Sequence, residues 1–407
     1  MVVLSAVLLI ALAAAVVYGL ARNSPTMWLL PNIAIITFLV VYIFPLFTAE
    51  VGNQLVISIV ICFLSMIITA LAVRRVKVKF GKSPPQIGHR KLLPALGVFF
   101  CIIGIGSVFL SLYYAGGLFA VLLEGGGRSY LEVRVHSSES GILGILAWAS
   151  PIGLALLLAL WLESKQRYVI LALFICFFLA SMTGFVLLTV RHNAVATILI
   201  LLATFIRYRG FSFRIAVFSA LLLLMIFVGF QALRVSVLDE FSVDSAVDSF
   251  TRSVEHLDVT QHMIKQADYD GHSGFLHVLD VPIFLVPRDI WPDKPMTSTL
   301  NRIYFPSEAS VGSEKAPGIV GEGYASAGYL GVVMVAVIFM AVLSMVQQRL
   351  DRYQSPFLAT LFAAAFIPYA YIGIRTGVFG KHLIASIMIY CQYLLIASLS
   401  RKRLVVR

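Results

Sequence analysis

Three-fifths of this 407-residue chain is hydrophobic, only 13% of it is charged, and its mean hydropathy is +0.93. A soluble chain carries roughly 25% charged residues, so a water-soluble globular domain is excluded. The formal charge of +11 is spread between apolar runs and not gathered in one patch; it reads as a topology signal, not a nucleic-acid footprint.

In chain order, the apolar runs predict about eleven transmembrane helices, near residues 2–20, 28–47, 54–73, 93–115, 142–162, 168–190, 194–206, 215–233, 318–345, 357–374 and 382–400. Each is judged by its ability to cross roughly 30 Å of hydrocarbon; the seventh is short, and a tilted or re-entrant path would suit it. The fold class expected is an all-α polytopic integral membrane protein, a single transmembrane domain over 1–407 with one long, partly helical external loop. The first run lacks a basic leader and a cleavage site before Arg22, so it reads as a retained span. Cys62, Cys101, Cys176 and Cys391 all fall inside apolar runs and form no CxxC pair, which makes them packing residues and not a zinc site or disulfide framework.

Lysine and arginine set the expected orientation. The loop from Arg74 to Lys91, RRVKVKFGKSPPQIGHRK, holds seven of them and belongs in the cytoplasm. That choice places nineteen of the 31 basic residues inside and eighteen of the 20 acidic residues outside, with the N-terminus out and the C-terminus in.

The long external loop, 234–316, is the only polar stretch large enough to fold. An amphipathic helix is predicted over about 244–268, because Phe250, Val254, Leu257, Gln261 and Ile264 recur at four- and three-residue spacing. Asp268-Tyr269-Asp270-Gly271 ends that pattern in turn chemistry. A DxD can hold a metal, but beside a glycine in a polar loop it reads as a solvated turn. His256 and His262 read as surface histidines, six positions apart, and either is a candidate general base. Further on, LVPRDIWPDKP (Leu285–Pro295) carries three prolines, which exclude a long helix. With Trp291 at a lipid–water boundary, this Pro-rich strap (285–295) would present Arg288, Asp289 and Lys294 at the membrane surface.

Four arginines outside break the charge rule: Arg128 and Arg134 in EGGGRSYLEVR, Arg191 in LLTVRHNAVATILI, and Arg375 in YIGIRTGVFGKH. An ionisable group at membrane depth is costly and is usually functional, although an arginine snorkelling to lipid phosphate is the plain alternative. Together with Arg288 they form a cationic set suited to phosphate oxygens, since guanidinium stays ionised and offers a planar fork. GIVGEGYASAGYLGV opens the ninth span; its Gly323, Ala327 and Gly331, four apart, read as a small-residue seam between helices. Glu322 is the carboxylate at the entrance of that span, a candidate base or a partner for one of the arginines.

The stretches VRHNAVATILILL (190–202), VPRDIWPDKP (286–295), GEGYASAGYLG (321–331) and IRTGVFG (374–380), in that order along a polytopic chain, resemble the Wzy-type oligosaccharide repeat-unit polymerases of bacterial surface polysaccharide (O-antigen) assembly. The resemblance implies an inner-membrane enzyme with its site facing the periplasm, transferring a growing chain between repeat units carried on undecaprenyl pyrophosphate. It implies no metal or nucleotide cofactor and no nucleic-acid partner. Membrane lipid and a chain-length regulator protein are the partners implied. Arg191, Arg288, Arg375, Arg128, Arg134 and Lys294 would bind pyrophosphate, and Glu322, His256 or His262 would take the acceptor's proton. A polysaccharide ligase, or a flippase or other transporter of lipid-linked sugars, is the alternative.

Overall fold

Hydrocarbon offers the backbone no hydrogen bonds, so an apolar chain crossing it must bond to itself, and the helix does this within one segment. The computed structural model describes residues 9–12, 14–17, 29–47, 51–76, 92–114, 143, 146–163, 167–187, 191–210, 256–286, 290–291, 293–295, 297–310, 315–353, 356–379 and 381–399. Among the described residues every regular element is helical. Numbered in chain order, the α-helices are α1 (Leu29–Phe38), α2 (Asn53–Arg75), α3 (Leu93–Tyr114), α4 (Ala149–Glu163), α5 (Arg167–Leu187), α6 (Arg191–Arg209), α7 (His256–Asp270), α8 (Asp280–Leu285), α9 (Thr299–Tyr304), α10 (Pro306–Ser310), α11 (Gly318–Leu350), α12 (Pro356–Thr376) and α13 (Lys381–Leu399).

Among the described residues, six helices are long and apolar enough to cross a membrane: Leu29–Phe47, Asn53–Arg75, Leu93–Tyr113, Tyr168–Phe185, Gly318–Leu350 and Phe357–Thr376. The chain is a multi-pass helical membrane protein. The described residues do not by themselves carry the expected count of eleven. The run 215–233 and most of 2–20 lie outside the described residues. Within 142–162 only Ala149–Glu163 is a continuous helix, and its 15 residues rise roughly 22 Å at 1.5 Å each, short of the hydrocarbon thickness. Ser386–Leu399 is likewise a shorter apolar helix. In α6, Arg191 at the start and Arg207 and Arg209 at the end confine the apolar part to 194–206. Apolar composition marks what dissolves in lipid, not how far it runs straight.

The chain divides into two compact units, each assembled from three separated stretches. The first comprises Met1–Lys82, Arg252–Arg352 and Phe366–Ile384. Here α11 packs along α2 and α1. Two side-chain amides near the end of α11 pin this packing. Gln347 Oε1 accepts from the Leu30 N–H at 3.1 Å, and Gln348 Nε2 donates to the carbonyls of Val73 and Val76 at 2.5 and 2.8 Å. Beyond α1 the backbone continues as a π turn (Leu39–Ile43) and a 3-10 turn (Phe44–Phe47), the second of which holds Pro45, a residue with no N–H to donate. Helix α7 lies against α11 and α2. Gly52 N–H donates to Gln261 Oε1 at 3.0 Å and Gln54 Nε2 to Asp268 Oδ2 at 2.8 Å, which ties α7 to the start of α2.

The second unit comprises Ser83–Thr251, Tyr353–Ala365 and Ala385–Arg407. Its centre is the contact of α3 with α4, where small residues bring backbones together. A Cβ on Gly104 would stand 2.3 Å from the Ser150 nitrogen, and one on Gly153 would stand 2.7 Å from the Cys101 nitrogen. Ser150 and Ser181 hydroxyls share a hydrogen bond of 2.9 Å, so neither is left unsatisfied in an apolar interior. Cys62 and Cys101 are buried, Cys176 and Cys391 exposed, and all four are free thiols.

Helix α11 contains a sharp break. Ala327 (φ −159°, ψ 37°) and Gly328 (φ 60°, ψ −145°) are not helical, and the second of these needs a glycine. Residues 318–326 then fold back on 329–350: a Cβ on Gly331 would lie 2.0 Å from the Gly323 carbonyl oxygen. Positions eight apart on a straight helix are separated by roughly 12 Å. The expected seam of Gly323, Ala327 and Gly331 between two separate helices is therefore corrected. Gly323 and Gly331 face each other across the break, and Ala327 forms part of it. The turn before a break has carbonyls without intrahelical partners. Ser273 N–H donates to the Ala325 carbonyl at 2.8 Å and Gly274 N–H to that of Ser326 at 3.0 Å, with the Ser273 and Tyr304 hydroxyls adding bonds of 3.1 Å to Ala325.

Candidate functional site

The site grows from the C-terminal end of α12. Its last turn carries Arg375, a favourable place for a cation at the negative end of the helix dipole. Gly377 (φ +107°) then turns the chain left-handed, and the following backbone N–H groups swing together. Val378 and Phe379 N–H both donate to the Glu322 carboxylate, the latter at 3.1 Å. A Cβ at position 377 would lie 3.0 Å from Glu322 Oε2, so the glycine serves both the turn and the approach. Glu322 is 1% exposed. A buried carboxylate needs such donors, and successive N–H groups in a turn form an anion-binding nest.

His277 completes this pocket. It is 3% exposed, on the 3-10 turn Leu276–Leu279, and its Nε2 lies 3.1 Å from Glu322 Oε1. The approach is off the line of a good hydrogen bond, and among the described residues neither ring nitrogen has a hydrogen-bond partner. The rings of Phe275 and Phe379 stand 6.1 and 5.8 Å from the imidazole. Phe275 itself adopts a left-handed φ of 69°, rare for a bulky residue. Asp280, one helical turn beyond His277, is also buried and holds the start of α9: its carboxylate accepts from Thr299 N–H and Oγ1, each at 2.7 Å.

On the other side of the same α12 turn stands His256, at the start of α7. Arg375 Nε donates to His256 Nε2 at 2.6 Å, while His256 Nδ1 lies 3.2 Å from the Ala316 carbonyl oxygen. A carbonyl accepts only, so Nδ1 carries the proton and Nε2 offers its lone pair. The ring is neutral. Burial, and then the Arg375 charge, push its pKa from 6.5 down to about 3, against an opposing pull from the Ala316 carbonyl. Thr260 Oγ1 reaches the carbonyls of His256 and Pro317 at 2.5 and 3.0 Å, which fastens α7 to the entry of α11.

Several expectations change here. His256 is buried, not a surface residue. The inner face of α7 is His256, Leu257, Thr260, Met263, Ile264 and Ala267, because α11 and α2 both pack on it. The expected helix start near 244 lies outside the described residues; its end falls at Asp270, where Gly271 (φ +92°) turns the chain. Among the described residues, Glu322 finds backbone N–H groups and an imidazole, and no arginine. His262 is exposed, its ring 5.0 Å from that of Phe305. Asp268 and Asp270 are exposed and engaged by Gln54 and Tyr324, and by Gln266, respectively. Lys294 Nζ bonds the Val286 carbonyl of its own strap at 2.9 Å. Arg128, Arg134, Arg288 and Asp289 lie outside the described residues, as does the side chain of Arg191, the first residue of α6 in the second unit.

The structure thus brings together Arg375, His256, Glu322 and His277 in the first unit. Of these, His277 was not singled out from the sequence. Its one local signal is His277 three positions before Asp280, which places both on one face of a helical turn. Arg375 makes no ion pair among the described residues, so its Nη fork is free of a carboxylate. The arrangement supplies a fixed cation beside a buried carboxylate–imidazole pair at the end of an apolar helix. Compared with known proteins, the chain matches no family model, no curated protein and no solved structure.

Proposed function

We propose that the chain is a polymerase of the bacterial inner membrane, joining oligosaccharide repeat units carried on undecaprenyl pyrophosphate at the periplasmic face. The observation that carries this reading is the end of α12, where Arg375, without a carboxylate partner among the described residues, stands two residues before the turn that grips Glu322. In the reaction, the anomeric carbon–oxygen bond to the pyrophosphate of one unit breaks, and the electron pair stays on the pyrophosphate. A hydroxyl of the next unit bonds to the anomeric carbon and gives up its proton. Positive charge grows on the sugar and negative charge on the leaving group. A preorganised arginine in a low-dielectric site stabilises the latter most where the charge develops. Arg375 has that part. The Glu322–His277 pair is the proton acceptor this reading assigns. A chain-length regulator would be the protein partner.

In a strain whose only copy is Arg375→Ala, cells are expected to display single repeat units and lose long chains, seen on a gel of surface polysaccharide with protein level checked by immunoblot. Long chains at normal abundance, with the protein present, would remove Arg375 from the mechanism. Long chains stranded on the lipid carrier would favour the ligase reading, and single units trapped on the cytoplasmic leaflet a transporter.

The orientation is tested separately. In a background lacking the exposed Cys176 and Cys391, Ser273→Cys is expected to react with an impermeant thiol reagent in whole cells and Ser83→Cys to stay unlabelled. The reverse pattern would invert the topology.

A further inference from the structure

An arginine that binds an anion must be aimed, and whatever aims it sets how much of its charge remains. The common partner for Nε–H is a carboxylate, which fixes the guanidinium but neutralises it. At Arg375 the partner is His256 Nε2 at 2.6 Å, and that ring is committed to accept there because its Nδ1 proton is directed at the Ala316 carbonyl, 3.2 Å away. Three observations make the arrangement more than a chance contact. His256 is 9% exposed, so water does not compete for its lone pair. The Ala316 carbonyl belongs to the same short segment whose Pro317 carbonyl accepts from Thr260, one turn along α7, so the acceptor ring is held at both ends. No carboxylate lies within ion-pair distance of Arg375 among the described residues.

We infer that His256 is a positioning residue: a neutral acceptor that orients the Arg375 guanidinium toward an oxyanion without spending its charge. A buried carboxylate at position 256 would hold the arginine equally well and leave little net attraction for a phosphate group. His256 is thereby not the proton acceptor of the reaction, since its one lone pair is already used. The inference rests on the proposed role of Arg375 toward pyrophosphate, and the experiment separates the two.

Glutamine at 256 reproduces both bonds, with its carbonyl oxygen toward Arg375 and its amide N–H toward Ala316, and stays neutral. Glutamate has the same length and adds a negative charge. Binding of inorganic pyrophosphate, and of undecaprenyl pyrophosphate in detergent micelles, is measured for the wild type, His256→Gln, His256→Glu and Arg375→Ala, with thermal unfolding to establish that each is folded. The expected result is affinity within about threefold of wild type for His256→Gln and at least a tenfold loss for both His256→Glu and Arg375→Ala, the fold-changes of a charge-assisted contact. Wild-type affinity in His256→Glu, with the Arg375→Ala loss intact, would overturn the inference alone. So would a loss in His256→Gln equal to that in His256→Glu. Full affinity in Arg375→Ala would instead remove the arginine from the site and take the proposed function's anion contact with it. Should His256→Glu not fold, nitrogen NMR of the wild-type imidazole decides. A neutral ring protonated on Nδ1 is expected, and an imidazolium or an Nε2–H ring would overturn the inference.

Discussion

Glu322→Ala is expected to cost about 2–5 kcal/mol of stability, the loss expected when two backbone donors of one turn lose their acceptor. The substitution strips two hydrogen bonds at once. Val378 and Phe379 N–H lose their acceptor, and His277 loses the carboxylate beside its Nε2. Buried donors left unmade cost about 1–3 kcal/mol each, and Val378 sits where water does not enter freely. The turn after α12 would then lose these two hydrogen bonds to the first arm of α11. Thermal unfolding in detergent, together with abundance in the membrane, reads the effect. Glu322→Gln is expected to lose less, since its amide oxygen still accepts from one N–H while its NH2 meets the other donor. Wild-type melting of Glu322→Ala would show that the nest is incidental.

Gly331→Ala is expected to destabilise by about 3 kcal/mol or more, the upper end for overpacking. The added methyl would lie 2.0 Å from the Gly323 carbonyl oxygen. The obstacle is backbone, so no side chain can swing away, and relief requires opening the break at Ala327–Gly328. Gly106→Ala in α3 is the matched control. Its Cβ would meet nothing within 4 Å, and alanine gains up to about 1 kcal/mol over glycine in a helix. Equal melting temperatures for the two variants would contradict the fold-back.

What the sequence made legible follows from the size of the signals. The helical membrane class comes from hundreds of apolar residues and survives any local error. The end of α7 was legible because Asp270-Gly271 is turn chemistry with a steric cause, and Gly271 does take a positive φ. Arg375 stood out because a charge beside an apolar run is expensive. The site around it was hidden for a different reason: the partners of Glu322 are backbone N–H groups, and a backbone donor has no letter. His277 and His256 look like any loop histidine until burial by Phe275 and Phe379, or by α11 and α2, is known. The spacing of Gly323, Ala327 and Gly331 suits a seam between two helices and a fold-back within one equally well. Only the backbone angles at Gly328 separate them.

The break in α11 also sets an order in time. The carbonyls of Ala325 and Ser326 are released by the break and are taken up by the N–H groups of Ser273 and Gly274, 52 residues earlier in the chain. Synthesis runs from the N-terminus, so these donors have left the ribosome before the carbonyls they will cap exist. When the glycine-rich stretch enters the bilayer, its uncapped turn already has a waiting partner. A chain circularly permuted to begin at Ser298 would reverse that order, and its α11 would have to bury two open carbonyls until the rest of the protein arrived.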